Sequence, residues 1–372
     1  MQTLAQSWLV LQLSGSAFLL GLDAFLGGIP IFLFSLIGGV VADRVERRNL
    51  LLMSQVIQMS CAFVLTLLFA FHVVHVWHIL TLSFVVGLAQ SFGGPAYSAL
   101  IPTLVKTEDL PNAIALNSIQ FNLARVIGPM LGGLALANWG AAWCFGLNGI
   151  SFVAVIISLL IVRARFVPKK TGESMLTSMK QGIAFVRQQS AMEGLILLAF
   201  CMTFLAIPLL VFLPVFARDV LHGNAKTFTI LLCSSGAGSV AGALTVAALG
   251  RMQRQGRAAL LMLSGLGILI TAFALSKTLW LSAVLVFIAG AALMGVFATV
   301  SSLVQLITPD AMRGRVMSVY NVAFRGGMPI GSLIMGKLVA SFTAPAVLAC
   351  NGVLLALLGL YFLTIQRRVA AL

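Results

Sequence analysis

The feature that most constrains this chain is a succession of apolar runs, each about as long as a lipid bilayer is thick, separated by short polar or basic breaks. They fall at residues 18–42, 49–71, 78–104, 113–137, 143–162, 191–217, 228–249, 258–276, 279–307, 316–340 and 344–365. A bilayer span takes ~20 apolar residues, so 372 residues hold eleven or twelve such helices and leave no room for a soluble domain. Composition agrees: 60% of the residues are apolar and 9% charged, against roughly half and a quarter in soluble domains. The fold class read from this pattern is an all-α membrane protein.

Ahead of these runs, residues 1–13 are apolar and helix-compatible but would reach only ~20 Å at 1.5 Å per residue. They read as the second half of a first helix whose start lies upstream. No secretory signal is expected, because the first positive charge is Arg44. The five cysteines, Cys61, Cys144, Cys201, Cys233 and Cys350, all sit inside apolar runs and read as small packing residues, not as disulfides or a metal site.

Orientation follows from the 23 Lys and Arg. Counting the half-helix as span one, the even-to-odd connections carry Arg44, Arg47, Arg48, Lys106, Arg163, Arg165, Lys169, Lys170, Lys180, Arg187, Arg251, Arg254, Arg257, Arg313 and Arg315, and the C-terminus carries Arg367 and Arg368. The opposite face has only Arg218, Lys226, Lys277 and Lys337. The positive-inside rule places the first set, and with it the C-terminus, in the cytoplasm. Trp77, Trp139, Trp143 and Trp280 then form an outer aromatic belt. The net charge of +14 is thus a topology signal, and nucleic acid is excluded as a partner.

The longest connection, residues 163–190, contains Pro168 and Gly172. It then places Met175, Leu176, Met179, Ile183 and Val186 at helical spacing, an amphipathic helix lying on the membrane surface or against the bundle. It separates a six-helix bundle at 1–162 from another at 191–372. Arg125-x-x-x-Pro129 and Arg325-x-x-x-Pro329 recur 200 residues apart, so the halves read as parallel repeats.

Four groups of residues carry candidate chemistry. Gly39, Asp43, Arg44, Arg47 and Arg48 make a G-x-x-x-D-R-x-x-R-R turn between spans two and three. There Gly38 and Gly39 permit close helix approach, and Asp43 can face a helix N-terminus. Gly128, Pro129, Gly132 and Gly133 in span five pair a proline kink with small packing residues. Asp23, Arg125 and Arg325 are charges inside spans, expensive there and normally turned to a cavity or a partner. For Asp23 a proton-coupling role stands beside a hydrated position at the outer cavity mouth. For the arginines, binding of an anionic group stands beside satisfaction by backbone carbonyls. Gln90, Tyr97, Asn117, Gln305 and Asn321 are polar residues placed to line a cavity or to bond between helices. His72, His75 and His78 read as an interfacial cluster, not a metal site. There is no phosphate-binding GxxxxGK[ST] and no hydrolase constellation, so neither ATP drive nor an enzyme is expected.

With these residues in hand, the sequence resembles the major facilitator superfamily, whose signature between helices two and three is the G-x-x-x-D-R-x-x-R-R pattern. Span five is similar to the superfamily's antiporter motif, with Ala124 where that motif begins in Gly. Pro309-Asp310-Ala-Met-Arg313-Gly314-Arg315, followed by Arg325, Pro329 and Gly331, resembles the branch of drug and siderophore exporters that includes macrolide efflux proteins. The resemblance implies a 6+6 fold with a central site lined by helices one, four, seven and ten, and contacts between the halves through helices two, five, eight and eleven. It also implies a cytoplasmic gate at Asp43 and Arg44 supported by Arg47 and Arg48. The expected function is proton-driven, cofactor-free export of an amphipathic small molecule by a monomer in the bacterial inner membrane. Import, a lysophospholipid flippase and a transport-inactive scaffold are the alternatives.

Overall fold

The computed structural model describes residues 1–162, 175–249 and 254–372. Arg163, Arg165, Pro168, Lys169, Lys170, Gly172 and Arg251, singled out in the sequence, lie outside the described residues. All regular structure among the described residues is helical. Ten of these helical segments are long and apolar enough to cross a membrane. The chain forms two compact units, Met1–Met175 and Leu176–Leu372.

The first unit contains α1 (Gln2–Ser14), α2 (Ala17–Arg44), α3 (Arg47–Ala70), α4 (Val76–Leu104), α5 (Leu110–Asn138) and α6 (Ala141–Ile161). The turn between α1 and α2 follows from its residues: Gly15 takes the left-handed conformation, φ +63°, that ends α1. Ser16 then caps α2 by accepting the Leu19 amide. At the far end of α3, the His75 and His78 side chains cap the start of α4 reciprocally, and the His75 amide donates to His78 Nδ1 at 3.0 Å. Two of the three histidines of the interfacial cluster thus do local capping work.

Lipid is as apolar as leucine, so these helices associate by close packing and not by escape from water. The sequence supplies small residues where helices meet. α2 lies on α4, and α3 on both α4 and α6. A Cβ on Gly87 would overlap the Gly27 carbonyl, and one on Gly38 would overlap that of Ser91. Ser54, buried between α3 and α4, donates to the Ala89 carbonyl at 2.8 Å. Large apolar side chains point outward instead, and Trp280 is 82% exposed.

The second unit begins with the amphipathic α7 (Met175–Gln188). It continues through α8 (Ser190–Ala206), α9 (Pro208–Val211), α10 (Leu213–Val215), α11 (Ala225–Leu249), α12 (Gln255–Leu275), α13 (Leu279–Ile307), α14 (Asp310–Ser341) and α15 (Ala344–Tyr361). α7 rests on its own bundle: Gly182 faces the Arg315 carbonyl of α14, and Val186 is buried. The expected span 191–217 is found as one candidate crossing, Ser190–Val220, in which Pro208 and Pro214 each remove a backbone donor and divide the helix, and it ends in a π-helical turn, Phe216–Val220.

The repeat expected from the sequence is visible in the pairings. α11 on α13, α12 on α13 and α12 on α15 reproduce α2 on α4, α3 on α4 and α3 on α6. The close contacts recur as well: Gly242 against Ala291, Gly290 against Ser235, and Gly267 against Gly352 and Ala356. The cysteines depart from the packing expectation at one position, since Cys61 and Cys144 are buried but Cys350 is exposed. On a lipid-facing surface a small thiol is not penalised for exposure, which is why hydropathy did not separate it from the others.

Candidate functional site

Asp23 lies two turns into α2 and is 8% exposed. The Gln6 amide of α1 donates to both carboxylate oxygens, at 3.0 and 2.9 Å, and approaches Ser83 Oγ at 2.7 Å. Ser83, on α4 and buried, donates to Asp23 Oδ1 at 2.5 Å. One carboxyl therefore ties three helices together, buried and accepting from neutral donors. The glycines Gly27 and Gly87 lie one turn beyond Asp23 and Ser83, and their contact brings α2 and α4 close enough for the bond. Sequence reading missed Gln6 and Ser83, because a glutamine in a short helix and a serine in an apolar one signal nothing until their partner is known.

The motif turn is built from carbonyl caps. Arg47 donates from Nε to Ala42 O at 3.3 Å and from Nη1 to Ala99 O at 3.0 Å, and it pairs with Asp43 at 3.4 Å. Arg48 donates to Leu159 O at 2.6 Å and to Leu160 O at 2.7 Å. Ala42, Leu159 and Leu160 belong to the last turns of α2 and α6, where carbonyls have no partner within the helix and the dipole favours cations, and Ala99 lies near the end of α4. An apolar cluster of Ala42, Leu50, Leu51, Ala96, Leu100 and Leu159 lies beneath. Arg44 is exposed and makes no hydrogen bond or ion pair among the described residues. Gly38, just before the motif, packs tightly against Ser91 of α4, whereas a Cβ on the motif glycine, Gly39, would meet nothing within 4 Å, so among the described residues only the first of the two serves the close approach expected of both.

In α5, Gly132 faces Met1: a Cβ there would lie 2.9 Å from the Met1 Cα, and Gly128 is next to the same residue. The Gly132 carbonyl accepts from Cys144 Sγ of α6 at 3.3 Å. Gly133 is buried and Pro129 half-buried. Gly128 and Gly132 therefore pack against the residue that precedes α1, and Gly132 also joins α5 to α6. The equivalent stretch of α14 behaves alike, with Gly327 and Gly331 admitting the backbone of α8 at Phe200 and Phe204.

Arg125 and Arg325 both present exposed side chains, and Arg325 has no hydrogen bond or ion pair among the described residues. Tyr97 donates to Asn117 Oδ1 at 2.5 Å and stands edge-on to Phe121, joining α4 to α5. Gln90 and Asn321 are exposed. Gln305 bonds back to Ser301 of its own helix and lines a cavity of about 440 Å³ with Phe297, Ser302 and Arg313.

Twin helical units, small-residue seams between their spans and a basic G-x-x-x-D-R-x-x-R-R turn define a transporter of the major facilitator class. The chain belongs to the transmembrane secretion effector family of that class, whose model matches residues 1–371. It is 30% identical over 363 residues to the enterobactin exporter EntS of Shigella boydii serotype 4 and to that of Escherichia coli O1:K1, covering 94% of this chain and 84% of each relative. The EntS of Citrobacter koseri is 29% identical over 358 residues, 93% of this chain and 82% of the relative. Among solved structures, the nucleoside transporter NupG superposes with a TM-score of 0.73 at 16% identity, covering 99% of this chain and 95% of that one. The D-xylose-proton symporter gives 0.73 at 16% identity over 98% and 93%. The protein is a multi-pass membrane transporter with the major facilitator fold.

Proposed function

We propose that the chain exports an amphipathic, siderophore-like small molecule across a bacterial inner membrane by proton-coupled alternating access, as a monomer with its C-terminus in the cytoplasm and without a catalytic role or a cofactor. The observation that carries export is the identity to enterobactin exporters along 94% of the chain. The observation that supports proton coupling is the Asp23 cluster. An ionised carboxylate accepts from Gln6 and Ser83 together, whereas a protonated one keeps less acceptor capacity and gains a donor. Taking up a proton therefore changes how α2 is bonded to α1 and α4, which links a chemical event to the hold on a helix.

In the same reading Arg44, unpartnered in its own unit, supplies the gate contact, while Arg47 and Arg48 hold the turn rigid. Arg125 and Arg325 supply positive charge to an acidic cargo. The test is direction-resolved flux of a catecholate siderophore in inverted vesicles under an imposed proton gradient. Uptake into inverted vesicles that collapses with the gradient and is lost in Asp23→Asn is the expected result. Gradient-independent flux, or unchanged gradient-driven flux in Asp23→Asn, overturns the coupling role, and flux in the opposite direction overturns export. Cysteines placed at Arg44 and Arg313 are expected to label from the cytoplasmic side together.

A further inference from the structure

The Asp23 cluster and the motif turn belong to the first unit, but the second unit carries a charged pocket that transport does not explain. A pocket of about 530 Å³ opens where α12 begins and α15 ends. Arg254, Arg257 and Arg367 supply its charge, and Leu363, Ala370 and Ala371 supply an apolar wall, with no acidic side chain among the lining residues. Arg367 donates its Nε to Thr364 O at 2.8 Å, which orients the guanidinium and leaves its outer nitrogens available. Neither the Arg254 nor the Arg257 side chain has a hydrogen bond or an ion pair among the described residues.

The pocket is built on a fixed platform. Val369 is 0% exposed; it fits between Gly194 of α8 and Gly256 of α12, where any Cβ would collide with it. That plug holds the turn after α15 against the start of α12. Two of the three arginines also have left-handed backbones, Arg254 at φ +59° and Arg367 at φ +41°. Such conformations are strained in non-glycine residues and persist where the surroundings impose them. The surroundings here bring three cations together with no acidic side chain in the lining, an arrangement that self-repulsion opposes and that an anion relieves.

The location decides which anion. The candidate spans Gln255–Leu275 and Ala344–Gln366 end beside these arginines, and Leu360, Tyr361 and Ile365, in the turns before Arg367, are exposed large hydrophobic side chains. The arginines therefore sit where the apolar surface of both spans ends, at the depth of phospholipid headgroups. We propose that this pocket binds the phosphate of an anionic phospholipid headgroup, such as phosphatidylglycerol or cardiolipin, with its acyl chains along α12 and α15. Free phosphate offers the same oxygens but not the chains, so the apolar wall favours the lipid.

The test is native mass spectrometry of the detergent-purified full chain titrated with cardiolipin, phosphatidylglycerol, phosphatidylethanolamine or inorganic phosphate, with thermal unfolding in parallel. Each basic side chain near a membrane surface contributes about 1 kcal/mol to binding an anionic lipid, so removing three is expected to weaken it on the order of a hundredfold. The R254Q/R257Q/R367Q variant should lose cardiolipin adducts and lipid-induced stabilisation. R368Q, whose arginine does not line the pocket, should keep both. If the triple variant does not fold, R254Q and R257Q singly should each show a graded loss. Equal binding of phosphatidylethanolamine, retained binding in the variants, or stabilisation by inorganic phosphate that matches cardiolipin overturns the proposal.

Discussion

Gly87→Ala tests the close packing of α2 and α4 on which the Asp23 cluster depends. The added methyl would sit 3.0 Å from the Gly27 carbonyl carbon and nearer still to its oxygen. Carbon contacts settle at about 3.5–4.0 Å, so the helices must separate by at least about 0.5 Å, and the obstacle is backbone that cannot rotate away. Overpacking of this kind costs about 1–3 kcal/mol. The separation also lengthens the Ser83 to Asp23 bond, now 2.5 Å, and a hydrogen bond to a charged group is worth about 1.5–3 kcal/mol. Gly94→Ala on the same helix is the control, because a Cβ there meets nothing within 4 Å. It should be neutral or stabilising by up to about 1 kcal/mol through helix propensity. Thermal unfolding of the purified proteins in one detergent, with gradient-driven flux on the same preparations, measures both effects. Gly87→Ala should melt lower and transport less, and Gly94→Ala should do neither. If the two variants melt together, or if Gly87→Ala keeps full coupled flux, the argument that α2–α4 contact positions Asp23 is wrong.

Three further outcomes are expected. Gln6→Leu leaves Asp23 with Ser83 as its donor and should lower gradient-driven flux while the protein still inserts and purifies; full flux would show that α1 takes no part in coupling. Arg48→Gln deletes the donors to Leu159 O and Leu160 O and should lower stability by about 1–3 kcal/mol in chemical unfolding, whereas Arg48→Lys should recover only part because an ammonium lacks the guanidinium fork. Arg44→Gln, which breaks no contact within its unit, should leave the melting temperature unchanged and impair transport; a large stability loss with normal flux would contradict the gate role.

The apolar runs determined the helical membrane fold, because the thickness of a bilayer and the cost of unpaired backbone in lipid leave a chain of this composition no other solution. The Arg-x-x-x-Pro recurrence revealed the repeat, and the basic turn identified the transporter class, since both are local patterns that need no partner to be read. What Asp23 touches was not legible: Gln6 and Ser83 lie 17 and 60 residues from it, and only helix packing brings them together. The same holds for the arginines. Sequence marked Arg47 and Arg48 as important, but only the assembled ends of α2, α4 and α6 show that their role is to satisfy carbonyls. The glycines divide for the same reason. Gly38 and Gly39 are identical neighbours in sequence, and the position of α4 alone decides that the first must lack a side chain while the second has room for one. Composition fixes which solvent the chain folds in, whereas contact between helices in lipid depends on shape at each seam, a property of pairs of distant residues that no single stretch of sequence contains.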